Sequence, residues 1–314
     1  MKSILLTKLF TRRTALLVLC SLVLSLRLVA VAAESVTIAI TGDIYTPDAK
    51  VVSDVIAAHK PLDAVLLAGD TSNGKATPLE DYQKLYKGTY DRFLSITHPC
   101  PGNHDERSVP PYSGYRAFWG RAAHAPEMYY SFDLGGWHII SLDSVSFRDD
   151  DPATSKQLAW LKADLAAHPK KPVIAYWHYP FFSRAKHGGD PKMKPLWQAL
   201  EANGPALVFS GHNHAYERFP SLDAEGNPTD PSRGVQQFVI CPGGGMLVEK
   251  EKDDATGPSS AVFHGGSQHV GFFVLQPDGS YSYNIKSVTK DGKTDVVDQG
   301  QGKFQLRQRN APLR

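Results

Sequence analysis

Five short motifs, each placed at or just past an apolar run, constrain this 314-residue chain more than any other feature. In chain order they are Gly42-Asp43, Gly69-Asp70, Gly102-Asn103-His104-Asp105, Trp177-His178-Tyr179 and Gly211-His212-Asn213-His214. The runs before them are short and rich in aliphatic or β-branched residues, so they read as strands. A strand over 35–40, helical spacing over 49–58, a strand over 64–68, helical spacing over 79–93 and a strand over 95–99 alternate in turn. That alternation predicts a parallel sheet with crossover helices, an α/β fold. Functional side chains in such sheets gather at the carboxyl ends of strands, which is where Asp43, Asp70 and Asn103 fall.

A hairpin follows, from 128–133 to 137–142 through Leu134-Gly135-Gly136. A helix is predicted from Ser155, as its N-cap, to 167, with Leu158, Leu161 and Leu165 on its apolar face. A strand over 172–177 ends at His178, a helix over 192–202 buries Leu196 and Leu200, and a strand over 206–210 ends at Gly211. Beyond His214 the pattern gives strands over 236–240, 270–276 and 280–285 and no clear helix. The loops at 107–111, 147–152 and 222–233 lack either pattern and are expected to rim a site.

Residues 1–33 stand apart. Lys2, Lys8, Arg12 and Arg13 precede an apolar run over 14–26, and Ala30-Val31-Ala32 supplies small residues for cleavage. This is the layout of an export signal, and Arg12-Arg13 suggests the twin-arginine variant. An uncleaved anchor is the alternative. The expected organisation is therefore a signal over 1–33, a catalytic domain over 34–289 and a polar, loosely held tail over 290–314, in an exported protein, periplasmic or secreted. The 34 basic and 32 acidic residues are interspersed and sum to +2, so no basic block argues for nucleic acid. No stable membrane partner is expected after cleavage. Cys100 and Cys241 remain in the mature chain and read as two buried thiols rather than a disulfide.

The motifs supply two carboxylates, one amide oxygen and three imidazoles, apart from His104 and Asp105. A bridging carboxylate serves two cations about 3.5–4 Å apart. Asp70 suits the bridge, with Asn103, His178 and His212 on one ion and Asp43 and His214 on the other. Mixed carboxylate and imidazole ligation suits iron, manganese or zinc better than calcium. A lone Gly-Asp is usually a turn, and His59, His98, His124, His138 and His168 lack such a context and read as structural. Five such elements in one order point to a dinuclear metal site.

Gly102-Asn103-His104-Asp105 and Gly211-His212-Asn213-His214-Ala215-Tyr216-Glu217-Arg218, supported by Tyr129-Tyr130-Ser131-Phe132-Asp133, resemble the calcineurin-like metallophosphoesterases, most of all the bacterial branch similar to purple acid phosphatases. The resemblance implies a four-layer sandwich of two mixed β-sheets flanked by helices. It implies that Asp43, Asp70 and His214 hold one metal and that Asp70, Asn103, His178 and His212 hold the other. It further implies attack on phosphorus by a metal-bound hydroxide, with His104 as general acid, oriented by Asp105. Asn103 and His187 are the candidate substrate contacts, the latter by its offset from His178. Glu217 and Arg218 read as a structural pair.

One departure matters. Purple acid phosphatases carry Gly-Asp-X-X-Tyr, and here Asn73 stands in place of the Tyr. Other members use Asp-X-His, and here Tyr45 stands in place of the His. Tyr45, Asn73 or a water is left to complete the first metal site. The reading is an exported phosphohydrolase acting on a small phosphate ester, first a phosphomonoesterase. A phosphodiesterase on nucleotides or lipid headgroups is the alternative, and a metal- or phosphate-binding protein with little catalysis is third.

Overall fold

The computed structural model describes residues 34–73, 78–147 and 152–306. The export signal read in 1–33, the segment 148–151 of one long loop and the end of the tail at 307–314 lie outside the described residues. In chain order the strands are β1 (Val36–Thr41), β2 (Ala64–Ala68), β3 (Thr97–Cys100), β4 (Tyr130–Leu134), β5 (Trp137–Ser141), β6 (Val173–Tyr176) and β7 (Ala206–Ser210). They continue with β8 (Tyr216–Leu222), β9 (Val235–Ile240), β10 (Val262–His264), β11 (Gln268–Leu275), β12 (Ser280–Val288) and β13 (Thr294–Lys303). The α-helices are α1 (Ala49–Ala58), α2 (Pro78–Tyr86), α3 (Asn103–Glu106), α4 (Ser113–Trp119), α5 (Pro152–Ala167) and α6 (Lys194–Asn203).

The strands form two mixed sheets, one of six in the order β13-β12-β11-β1-β2-β3 and one of seven in the order β10-β8-β9-β7-β6-β5-β4. Alternation along each strand sorts side chains between two faces. Ile38, Ile40, Leu66, Ile139, Ile174, Leu207, Phe209 and Phe273 point between the sheets and form one core. Ala39, Val65 and Leu67 point the other way, onto Val52 and Ile56 of α1 and Tyr82 and Tyr86 of α2. Ile140, Ala175 and Val208 likewise meet Leu161 and Leu165 of α5 and Leu196 and Leu200 of α6. Helix, sheet, sheet, helix is the four-layer arrangement expected, and it arises because central strands are apolar on both faces. The parallel sets β1-β2-β3 and β5-β6-β7-β9 all release their chains at one end of the sandwich.

Several boundaries differ from the sequence reading. The helix expected over 79–93 divides into α2 and a 3-10 turn, Tyr90–Ile96, because Gly88 between them takes φ +71°. Ser155 lies inside α5, which starts at Pro152, a residue suited to a first helical position. The tail expected to be loose forms β13, laddered to β12 from Ser280↔Lys303 to Val288↔Thr294. Edge strands need no apolar run, so polarity alone misleads there. The 222–233 connection leaves β8 and enters β9 beside the amino end of β7, opposite the motifs, so it does not rim the site.

An ion-pair cluster around one buried histidine ties the β4-β5 hairpin to α5. His138, 1% exposed, has Nδ1 at 3.0 Å from Asp133 Oδ1 and Nε2 at 2.7 Å from Asp164 Oδ2. With both nitrogens donating, no lone pair is left for a cation. Burial opposes the charge, but the two carboxylates outweigh it and hold the imidazolium above the usual histidine range. This stabilisation is full below about pH 6.5, the unfolded value, and is lost as pH rises through the higher folded value. Thermal melts of His138→Gln should show a loss of about 1–3 kcal/mol at pH 6 and a flatter decline above it. An unchanged melting profile would count against the clamp.

Candidate metal centre

The five motifs meet at the common carboxyl end of the parallel strands. Asp43, Asp70, His212 and His214 take φ of 57°, 48°, 71° and 56°, in the left-handed region. That region costs an L-residue roughly 1–2 kcal/mol. The turns are sewn together by backbone bonds, Asp43 N–H to Gly69 O at 3.0 Å, Ile44 N–H to Asp70 O at 3.0 Å and Gly211 N–H to His178 O at 3.1 Å. Gly102 makes the closest approach: a Cβ there would lie 2.1 Å from Asp70 N and 2.2 Å from Asp70 Oδ1.

The expected ligands converge. Asp43, Asp70 and His178 are 0%, 1% and 0% exposed, and a donor atom of each lies within 4.8 Å of the others. Asp43 Oδ2 accepts from His212 N–H at 2.8 Å, while its Oδ1 lies 3.3 Å from His214 Nε2. Asp70 Oδ1 accepts from His104 N–H at 2.7 Å and lies 3.4 Å from His178 Nε2. Asn103 Oδ1 is 3.0 Å from the same Nε2, and the rings of His178 and His212 lie 5.0 Å apart. His178 Nδ1 donates to Ala68 O at 2.9 Å, which turns Nε2 inward.

The electrostatics fit cations. Two carboxylates buried together repel and lack water. Burial works against the His178 imidazolium, yet Asp70 and then Asp43 carry its pKa up to about 9. Burial and that neighbouring charge drive His212 down to about 2. Burial also penalises the Asp43 carboxylate, but His214 and His178 hold it below the usual range. Asp43 Oδ1 is buried with no hydrogen-bond partner. An orphaned carboxylate oxygen beside inward-facing imidazoles is a donor set suited to iron, manganese or zinc.

Around the rim, His104 stacks on Tyr45, with centroids 5.0 Å apart and planes 14° apart. Its Nδ1 lies 3.0 Å from Asn73 Oδ1 and 3.2 Å from Arg107 Nη1, and its Nε2 lies 3.7 Å from Asp70 Oδ2. Burial lowers the His104 pKa, partly offset by Asp70. Tyr45 OH lies 3.1 Å from His214 Nε2. The His187 ring is 4.7 Å from that of His212, facing a cavity of about 430 Å³ also lined by Ser144, Tyr179 and Lys192.

Three sequence expectations are corrected. Asp105 does not orient His104. It follows His104 on α3, where adjacent side chains diverge, and accepts from Thr71 N–H, Gly102 N–H and Tyr82 OH. Burial and Asp70 raise its pKa to about 7. Asn73 spends its amide oxygen on His104 rather than on a ligand set. Glu217 and Arg218 are not a pair: neighbours on a strand face opposite ways. Glu217 binds Ser183 OH and Arg184 N–H, and Arg218 pairs with Asp298 at 2.6 Å. Sequence reasoning missed Arg107, one helical turn after His104, and Asn213. The Asn213 side chain accepts from His187 N–H at 3.1 Å and donates to Gly188 O at 2.9 Å, pinning the His187 loop.

Comparison with known proteins adds independent findings. A family model described as calcineurin-like phosphoesterase matches residues 36–216. Purple acid phosphatase 18 of Arabidopsis thaliana is 29% identical over 227 residues, which cover 64% of this chain and 48% of that protein. The chain thus spans about half the length of the curated relatives it matches. Among solved structures, purple acid phosphatase PPD1 from yellow lupin (Lupinus luteus) seeds aligns with a TM-score of 0.63 at 15% identity, over 87% of this chain and 54% of that one. GAP50, the anchor in the inner membrane complex of Plasmodium, aligns with a TM-score of 0.61 at 15% identity, over 87% and 90%. At such identities the two structures share the fold.

The Gly102 approach yields a test. Gly102→Ala forces Asp70 to move, so it should destabilise by about 1–3 kcal/mol and lower the metal content of purified protein, read by thermal melt and elemental analysis. Unaltered content and melting would remove Gly102 from the account.

Proposed function

The chain belongs to the calcineurin-like phosphoesterase family, and from that premise we propose that it is an exported, metal-dependent phosphatase preferring phosphate monoesters. The observation that carries this reading is the pair of buried carboxylates, Asp43 and Asp70, ringed by inward-facing imidazoles, with Asp43 Oδ1 making no hydrogen bond and lying 3.3 Å from His214 Nε2. Asp43, Asp70, Asn103, His178, His212 and His214 fit two cations, iron, manganese or zinc. When bound, these supply charge against the phosphoryl oxygens and make water acidic enough to attack near neutral pH.

The side chains of the rim then take separate tasks. Asn103 and His187 contact phosphoryl oxygens. His104 carries the proton that the leaving oxygen needs. Its ring plane is fixed by Tyr45 on one face, and its Nδ1–H donates to Asn73 Oδ1 when the ring is protonated, Arg107 reaching the same nitrogen only in the tautomer that leaves it a lone pair. That leaves Nε2, the nitrogen nearest Asp70, for transfer. The monoester preference is supported by the names of the relatives, which include purple acid phosphatases and acid phosphatase type 7 of Mus musculus. Export is supported by the charge and apolar order of residues 1–33.

Rates on p-nitrophenyl phosphate and its bis-ester test the reading. The monoester should be turned over faster, and His104→Ala should lower kcat on it by about 10²–10⁴-fold with metal content unchanged. A bis-ester rate far above the monoester rate would make the protein a diesterase. No turnover of either ester by metal-loaded protein would favour a binding role.

A further inference from the structure

We propose that the phenol oxygen of Tyr45 completes the first cation site, in place of the ligand absent from both sequence patterns. The proposal rests on the dinuclear reading above and says which side chain finishes it. Asp43 turns the chain through its left-handed conformation, and Tyr45 follows two residues later with its ring half-buried at the mouth of the site. Its OH lies 3.1 Å from His214 Nε2, and that nitrogen lies 3.3 Å from Asp43 Oδ1. The carboxylate oxygen in this set is the buried one with no hydrogen-bond partner. A phenol oxygen, an imidazole nitrogen and a carboxylate oxygen therefore share one neighbourhood.

The other claimants are committed elsewhere. Asn73 Oδ1 is 3.0 Å from His104 Nδ1. Cys241 Sγ, fully buried, accepts from the backbone N–H of His214 at 3.1 Å and lies 3.6 Å from Ala215 O. The Tyr45 ring is held in place by its stack on His104 and by its 5.9 Å tilted contact with His214. Together with Asp43 and Asp70, a tyrosine oxygen would give this position three hard anionic donors, a set suited to a trivalent cation.

The test uses the full chain loaded with ferric iron, because a tyrosine oxygen bound to ferric iron absorbs visible light. The wild type should show such a band, and resonance Raman spectra excited within it should carry tyrosine ring modes. Tyr45→Phe should lose the band and bind the ferric ion at least about tenfold more weakly. Tyr45→His, which restores a nitrogen at the same place, should regain the ion without the band, and this separates a lost ligand from a lost fold. Asn73→Ala should keep the band. A wild type holding two ions without a band, or a band that survives Tyr45→Phe, would overturn the proposal. If the band behaves as stated while p-nitrophenyl phosphate is not hydrolysed, the ligand assignment stands and the phosphatase reading falls. If ester hydrolysis persists while the band survives Tyr45→Phe, the reverse holds.

Discussion

Two carboxylates buried side by side, Asp43 and Asp70, set the terms for everything at this end of the molecule. Neither can be hydrated, and like charges at such range are costly in a low dielectric. The surrounding atoms answer that cost. Asp43 takes the backbone N–H of His212, Asp70 takes that of His104, and His178 sits beside both with its outer nitrogen tied to Ala68. Without cations, His178 is drawn towards the charged form to serve as counter-charge. Its inward Nε2, beside Asp70 Oδ1 and Asn103 Oδ1, is the atom that would face a cation. The sandwich makes this possible because strands of both sheets end on one side, so residues far apart in sequence arrive together.

Much of this was legible in the sequence, for a physical reason. In a parallel sheet the side chains that converge on a site sit where the strands end, and the end of an apolar run is visible in one dimension. Asp43, Asp70, Asn103, His178, His212 and His214 all lie there, and all six are brought together. Roles that depend on direction were less visible. Asp105 adjoins His104 in sequence yet faces the aromatic layer under α2, whereas Arg107, three residues on, reaches the ring. Spacing along a helix decides such contacts, and α3 is too short to announce itself by periodicity. The strand β8 was hidden by Pro220, which the ladder accommodates with a shift in register between Arg218 and Ser221. The edge strand β13 was hidden by its polarity.

Tyr45 links two features that the sequence presents as unrelated. Its oxygen approaches His214, and its ring lies flat on His104. One side chain thus touches both imidazoles, His214 at its tip and His104 on its face, so the rim and the inner site share a wall.

The left-handed backbone at Asp43, Asp70, His212 and His214 has a consequence for how such a chain changes over time. At each of these positions glycine would sit with less strain than the residue present. A descendant that kept the sandwich only as a scaffold would relieve that strain by losing these side chains, though the N–H groups of His212 and His104 would then lose the carboxylates they donate to. Aspartate and histidine at four such positions in one chain therefore record an uphill choice. Backbone strain gathered at one end of the sandwich points to a site held for its chemistry rather than for the fold.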